Sequence, residues 1–435
     1  MNGATESSPL YAWYGDDLTG STDVLEGLAV HGLPAVLFLR APDEEALREF
    51  AGCRAIGIAG ESRSRTPEWM DANLPAIFAA MRKLGAPVNH YKVCSTFDSS
   101  PRTGSIGRAM ELGTNAFASA WAPVVVGAPH LGRAVAFGNL FAAANGEMVR
   151  VDRHPTMCCH PVTPMREADL RVHLAQQTAM RTGLVDLTSL QSGVARQRLT
   201  CELAAGAKAV MFDGIDEATQ EASAALVWEQ ACERPLFAVG SSGLTYGLLR
   251  HWQRLGIIGD APVQQVAKSA DRLLVLSGSC SAVTEKQIRR AQQQGFAAFA
   301  LACERQWTVE SRHATEALAR GQSVVLYTAL GAARGQGDYG EEFGAALGDL
   351  LREILLASGV RRVLVAGGDT ATHAVSRLGL RAFTFAAQLA PGAPLCRGHA
   401  PGSTLDGLEL VLKGGQIGPE DFFARVRDGS QAKCC

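Results

Sequence analysis

Lysine is scarce in this chain. Only seven of its 41 cationic residues are lysines, they face 43 acidic residues, and the net charge is -2. No basic field of the kind that attracts nucleic acid or a membrane surface is present, so neither is an expected partner. Charge is sparse overall, with charged residues at 19% and apolar residues at 47%. A disordered chain needs the opposite balance. No apolar run approaches the ~18 residues that mark a membrane-crossing helix. The opening stretch Met1–Pro9 lacks a charged n-region and an apolar h-region, so no secretory leader is expected. The eleven cysteines are odd in number, and reduced thiols in the cytoplasm are their expected state. Two nucleotide-binding fingerprints are also missing. There is no G-x-x-x-x-G-K-[ST], which excludes a P-loop enzyme, and no G-x-G-x-x-G after a strand, which disfavours a standard dinucleotide fold.

The 435 residues suffice for two or three domains. Short apolar runs at 35–39, 55–59, 123–127, 209–212, 236–239, 273–276, 323–327, 363–366 and 408–412 read as strands buried on both faces. Helical patterns separate them. Glu341–Ser358 carries a stripe of Leu347, Leu350, Leu351, Ile354 and Leu355, with Gly359 placed to cap it. Thr284–Gln287 fits a capping box, and a helix is expected over 371–378. Alternation of this kind predicts an α/β fold with mainly parallel sheets between helical layers. A glycine- and proline-bearing stretch at 256–262 suggests an N-terminal domain over 1–265 and a C-terminal domain over 270–435. The glycine-rich stretch 332–340 reads as a surface loop.

In open parallel sheets, ligands collect at the carboxyl ends of strands. The first run ends in Asp16-Asp17-Leu18-Thr19-Gly20, two adjacent carboxylates on a strand-to-helix turn. They read either as a helix cap plus a solvated Asp, with Thr19 or Ser21 as other caps, or as a general base or ligand for hydroxyls or Mg²⁺. Arg63 and Arg65 follow a second run and suit a carboxylate or phosphate. The segment from Lys92 to Gly107 concentrates hydroxyls with Lys92 and Asp98, which suits a polyhydroxylated anion. In the C-terminal half, Ser277-Gly278-Ser279-Cys280-Ser281, Gly367-Gly368-Asp369-Thr370 and Lys413-Gly414-Gly415 each follow a strand. Small residues there let backbone N–H groups approach phosphates. Three such turns in one domain point to a nucleotide. His154, Cys158, Cys159 and His160 cluster, but neither Cys-x-x-Cys nor His-Glu-x-x-His is present, so no metal ligand is assigned. The alternative is a loop reaching over the substrate site. The vicinal Cys434–Cys435 pair at the tail reads as incidental.

Together these blocks resemble the four-carbon acid sugar kinase family over nearly the whole chain. The resemblance rests on Asp16–Gly20, Lys92–Thr96, Gly138–Phe141, His160–Met165, Gly278–Ser281, Gly367–Thr370 and Ala390–Pro394, in that order. It implies two α/β/α domains with the active site in the cleft between them, the first holding a sugar acid and the second ATP. Asp17, with Asp16 second, would be the base. Arg63 and Lys92 would clamp the substrate carboxylate, and Ser95, Thr96 and Asp98 would bind its other oxygens. Ser277, Ser279, Gly367, Gly368, Asp369, Thr370, Gly414 and Gly415 would cradle ATP, with Mg²⁺ on its phosphates. Three departures from the family pattern are visible. Gly414 stands where a serine is usual. Phe97–Ser100 lacks an Arg-Gly-Asn, which favours a 3-oxo-tetronate acceptor. Gly127–Arg133, which the resemblance places against the substrate, is divergent, which keeps a branched acid such as 3-oxo-isoapionate open, beside threonate or erythronate. The resemblance allows a homodimer. From other classes, a non-catalytic sensor of sugar acids or nucleotides is the competing reading, followed by a metal- or nicotinamide-dependent sugar-acid enzyme.

Overall fold

The strand Tyr11–Gly15 is buried along its whole length and is paired on both sides, by Ala55–Ala59 and by Val88–Lys92. An unbroken apolar strand is what such an interior position requires. The computed structural model describes residues 8–429 apart from 145, 161, 264–265, 303–304, 332 and 335–339. Most of the expected 332–340 loop and all of the Cys434–Cys435 pair lie outside the described residues.

The chain divides into two units. The first comprises the chain up to Asp16, Gly27–Ala35 and Ala41–Pro262; the second comprises Asp17–Glu26, Val36–Arg40 and the chain from Val263. In the first unit, the strand order is Ala55–Ala59, Tyr11–Gly15, Val88–Lys92, Leu236–Gly240, Ala122–Val125, Ala209–Phe212 and Thr182–Val185. All neighbours are parallel. In register, Ala59, Gly15, Lys92, Gly240 and Val125 end together, so the loops that follow them share one edge. Phe78, Tyr91, Phe97 and Phe237 pack in the core beneath.

In the second unit, the order is Ala297–Ala300, Val324–Tyr327, Leu274–Ser277, Arg362–Ala366, Glu409–Lys413, Ala393–His399, Ala382–Ala390 and Ala35–Phe38. The first five are parallel. The last three are antiparallel to their neighbours, and none of the hairpin 382–399 was expected from the sequence. Its strands mix apolar residues with Thr384, Gln388 and Arg397, which hides the apolar run.

Two helix boundaries differ from expectation. The helix Ala282–Gln293 is capped by Ser281, whose side chain accepts from the Val283 N–H. Thr284 lies inside it and spends its hydroxyl on the Gly415 carbonyl at 2.8 Å. The helix expected at 371–378 starts three residues earlier, at Gly368, and runs to Ser376. The helix Glu341–Ser358 and its left-handed Gly359 cap form as the pattern predicts.

A small antiparallel sheet, Arg133–Ala136, Asn139–Ala144 and Glu147–Arg150, follows the strand Ala122–Val125. Its first turn holds Phe137 and Gly138 at positive φ. Asp213, at the end of a sheet strand, accepts their two backbone N–H groups at 2.6 and 2.9 Å and that of Leu187 at 2.8 Å. A fully buried carboxylate thus fixes the hairpin from below. Asp213→Ala leaves three donors without this acceptor and is expected to cost about 3 kcal/mol. A urea midpoint unchanged from the wild type would contradict this role.

Candidate functional site

In the first unit, four loops meet at the carboxyl edge of the sheet. Asp16 is buried, and its backbone is fixed on both sides: its N–H donates to the Lys92 carbonyl, and its carbonyl accepts from the Arg63 N–H. Ser95 and Thr96 are buried beside the end of the Val88–Lys92 strand, where Lys92 also lies buried. Phe97 adopts positive φ with its ring fully buried, a strained backbone that sets the turn from Thr96 to Asp98.

Asp98 is the centre of this cluster. Both of its oxygens lie 2.9 Å from Arg63 Nη2, one accepts from Thr96 Oγ1, and the other accepts from Thr163 Oγ1 at 3.0 Å. Burial alone would raise its pKa. The Arg63 charge, the Thr96 hydroxyl and His160 outweigh burial and hold it at about 2. Thr163 N donates to His160 Nδ1 at 3.1 Å. The polar chemistry of Lys92–Asp98 is therefore tied to 160–163, in line with the reading of that segment as a loop over the substrate site. Neither Arg63 nor Arg65 is a free loop cation: Arg65 pairs with Glu61 at 2.7 Å.

The vicinal Cys158 and Cys159 place their sulfurs 3.4 Å apart, and His154 Nδ1 accepts from the backbone N–H groups of Thr156 and Met157. Among the described residues, no group of three or more His, Cys, Asp or Glu side chains converges as a metal site. A groove of about 580 Å³ lined by Pro75, Arg82, Leu112 and Ala116 lies between helices, away from the strand ends that carry the polar cluster.

In the second unit, Asp17 caps the helix Leu18–Val30, a role the sequence offered also to Thr19 and Ser21. Its Oδ1 accepts from the Gly20 N–H at 2.6 Å and its Oδ2 from Thr19 Oγ1 at 3.0 Å. Neither aspartate of the pair is solvated. A Cβ on Gly368 would lie 3.6 Å from Asp17 Oδ2. The same unit brings the three glycine turns together. A Cβ on Gly278 would meet Thr370 Oγ1 at 2.0 Å, and one on Gly415 would meet Ser279 Oγ at 2.6 Å. Gly367 has φ +115 and forms the N-cap of the Gly368–Ser376 helix. Ser277 Oγ is buried and has no hydrogen-bond partner among the described residues. Gly414 starts the turn after Lys413 and is less crowded. The side chain of Asp369 lies outside the described structure.

Lys413 is fully buried and donates to Thr284 Oγ1 at 3.0 Å. Burial pushes its pKa down to about 7. Exposed backbone N–H groups of a helix start, close glycine turns and a nearby lysine form a cradle suited to phosphates.

The comparisons agree with this division of chemistry. The sequence matches two family models, a sugar-binding N-terminal domain over residues 11–248 and a nucleotide-binding C-terminal domain over residues 274–423. The chain belongs to the four-carbon acid sugar kinase family. It is 43% identical to the 3-oxo-isoapionate kinase of Paraburkholderia graminis, over 97% of this chain and 95% of that protein. It is 32% identical to the 3-oxo-tetronate kinase of Methylobacterium radiotolerans, over 95% and 97%. A crystal structure of a Haemophilus influenzae protein, 22% identical, superposes with a TM-score of 0.70 over 96% of this chain and 99% of that one, and shows the fold. No helix among the described residues is long and apolar enough to cross a membrane.

Asp98 yields a pH signature. Its pKa in the fold, about 2, lies below the ordinary 3.8. The paired carboxylate therefore contributes stability that is present above pH ~4 and lost as pH falls towards 2, about 2 kcal/mol in all. Asp98→Asn is expected to lower the urea midpoint at pH 7, with the gap to wild type closing in acid. A gap that stays constant from pH 7 to pH 2.5 would contradict the pairing.

Proposed function

We propose that this family member transfers the γ-phosphoryl group of ATP to a terminal hydroxyl of a short 3-oxo sugar acid. One observation carries the reading. The Asp17 carboxylate lies beside the Gly367–Gly368 helix start, which supports reading it as a base next to a phosphate cradle within one unit. Phosphoryl transfer asks for positioning and charge stabilisation more than for covalent chemistry. In this reading, Asp17 receives the hydroxyl proton and Asp16 is the second candidate. Ser277, Ser279, Gly367, Gly368, Asp369, Thr370, Gly414 and Gly415 hold ATP. Lys92, Ser95, Thr96 and Asp98 hold the acid, with Arg63 paired to Asp98 behind them.

The cradle fits ATP on its own chemistry: close glycine turns admit phosphate oxygens, and the buried Ser277 hydroxyl has a bond to spare. Mg²⁺ is bound by few carboxylates plus substrate phosphates rather than by an all-protein cage, and Asp17 would be one carboxylate to hold it. It would neutralise phosphate charge. ATP supply and reduced thiols both fit a cytoplasmic enzyme.

The acceptor we favour is the branched acid 3-oxo-isoapionate, because the relative acting on it by name is 43% identical, against 29–32% for several 3-oxo-tetronate kinases. The divergent 127–133 segment supports the same choice. The second acceptor is 3-oxo-tetronate, favoured by Phe97–Ser100. ADP release with ATP and Mg²⁺ against both acids, with D- and L-threonate and D- and L-erythronate, tests the reading. Turnover of 3-oxo-isoapionate is expected to lead. ATP binding without ADP release on any acid would favour the sensor reading instead. Asp17→Asn is expected to lower kcat by about 10²–10⁴-fold with ATP affinity retained, and wild-type turnover in that variant would remove Asp17 as the base.

A further inference from the structure

Two arginines of this chain show a guanidinium matched to a carboxylate. Arg63 is committed to Asp98, whose side chain is fully buried, and Arg362, 2% exposed, is paired with Glu409 at 2.6 Å. Arg133 is half-buried and differs from both. Its Nη1 donates to the carbonyls of Leu131 and Gly132, both at 3.0 Å. Its Nε is buried and, among the described residues, has no hydrogen-bond partner; no carboxylate pairs with it. Leaving a cation in this state costs free energy unless an anion completes it.

Position supports a ligand rather than an unfilled core. Arg133 opens the small antiparallel sheet directly after the strand Ala122–Val125, whose end is in register with Gly240 and, through it, with Lys92. The hairpin that carries it is held by Asp213. Burial presses the guanidinium pKa down, and Cys94 of the Lys92–Thr96 turn acts the other way. The Cys94 sulfur in turn accepts from Thr96 Oγ1 at 3.0 Å. With Nη1 fixed by two carbonyls, the edge formed by Nε and Nη2 is left as a two-donor fork. Such a fork matches the two oxygens of a carboxylate.

We propose that Arg133 binds the carboxylate of the sugar acid, and that Arg63 is a positioning residue that acts through Asp98. The proposal rests on the reading of this edge as the acid site. It divides the two arginines by what they see: Arg133 sees the carboxylate of the substrate, and Arg63 sees the carboxylate of the protein.

The test is calorimetric binding of 3-oxo-isoapionate and of its carboxamide to the full chain without nucleotide, with ADP release measured in parallel. Arg133→Gln is expected to weaken the acid by about 10- to 100-fold and to leave the carboxamide and ATP nearly unchanged. Arg133→Lys keeps the charge, loses the fork, and is expected to fall between; it decides the matter if the glutamine variant does not fold. Arg63→Gln is expected to weaken acid and carboxamide alike. Unchanged acid affinity in both Arg133 variants, or equal losses on acid and carboxamide, overturns the assignment while ADP release by the wild type keeps the kinase reading. Arg133-dependent acid binding without any ADP release sinks the kinase reading and keeps the assignment. A wild type that binds no acid overturns both.

Discussion

The second unit depends on how closely three turns approach one another. Gly278 lies so near Thr370, and Gly415 so near Ser279, that any side chain at either glycine would collide with a hydroxyl. Three parallel strands, Leu274–Ser277, Arg362–Ala366 and Glu409–Lys413, deliver these turns to one edge, because neighbours in register end together. Backbone amides then replace side chains as the surface offered to a ligand, which is how a cradle for phosphates forms without a P-loop. Lys413 is buried beneath it with a hydroxyl and a carbonyl as partners. Burial beneath the turns is what pushes its pKa down.

The first unit solves a different problem, holding polar groups rigid at a strand edge. Asp98 is satisfied from two hydroxyls and one guanidinium, and those partners come from three separate loops. Each loop is in turn fixed by something else: strained backbone at Phe97, the His160 ring on Thr163, and the Arg63 N–H on the Asp16 carbonyl. A site built this way presents hydroxyls and charges in fixed directions, as recognition of a polyhydroxylated acid requires.

Many strand ends were legible because an apolar run stops there at glycine, serine or aspartate, as at Gly60, Asp213, Gly240, Ser277 and Gly367. The parallel α/β class followed from that alternation. Long-range pairings were not legible. Arg63 and Asp98 are 35 residues apart and Thr163 and Asp98 are 65 apart, and no local pattern links them. Thr284 looked like a helix cap because Gln287 stands three residues later, yet Ser281 is the cap and Thr284 is spent on Gly415. The Gly368 helix start was masked by two glycines, which read as loop until a neighbouring turn gives them packing. The antiparallel hairpin 382–399 was missed because its strands mix polar and apolar residues. The segment Gly127–Arg133 stood out in the sequence, but not the two carbonyls that hold Arg133 Nη1.

The central claim is that the three glycine turns, with Asp17 beside them, receive the nucleotide. Amide hydrogen exchange with and without ATP and Mg²⁺ tests it directly. The account predicts slowed exchange at Gly278–Ser281, Gly367–Thr370 and Gly414–Gly415, with little change there when the sugar acid is added alone. Protection confined to the first unit, or none at these turns at saturating ATP, would contradict it.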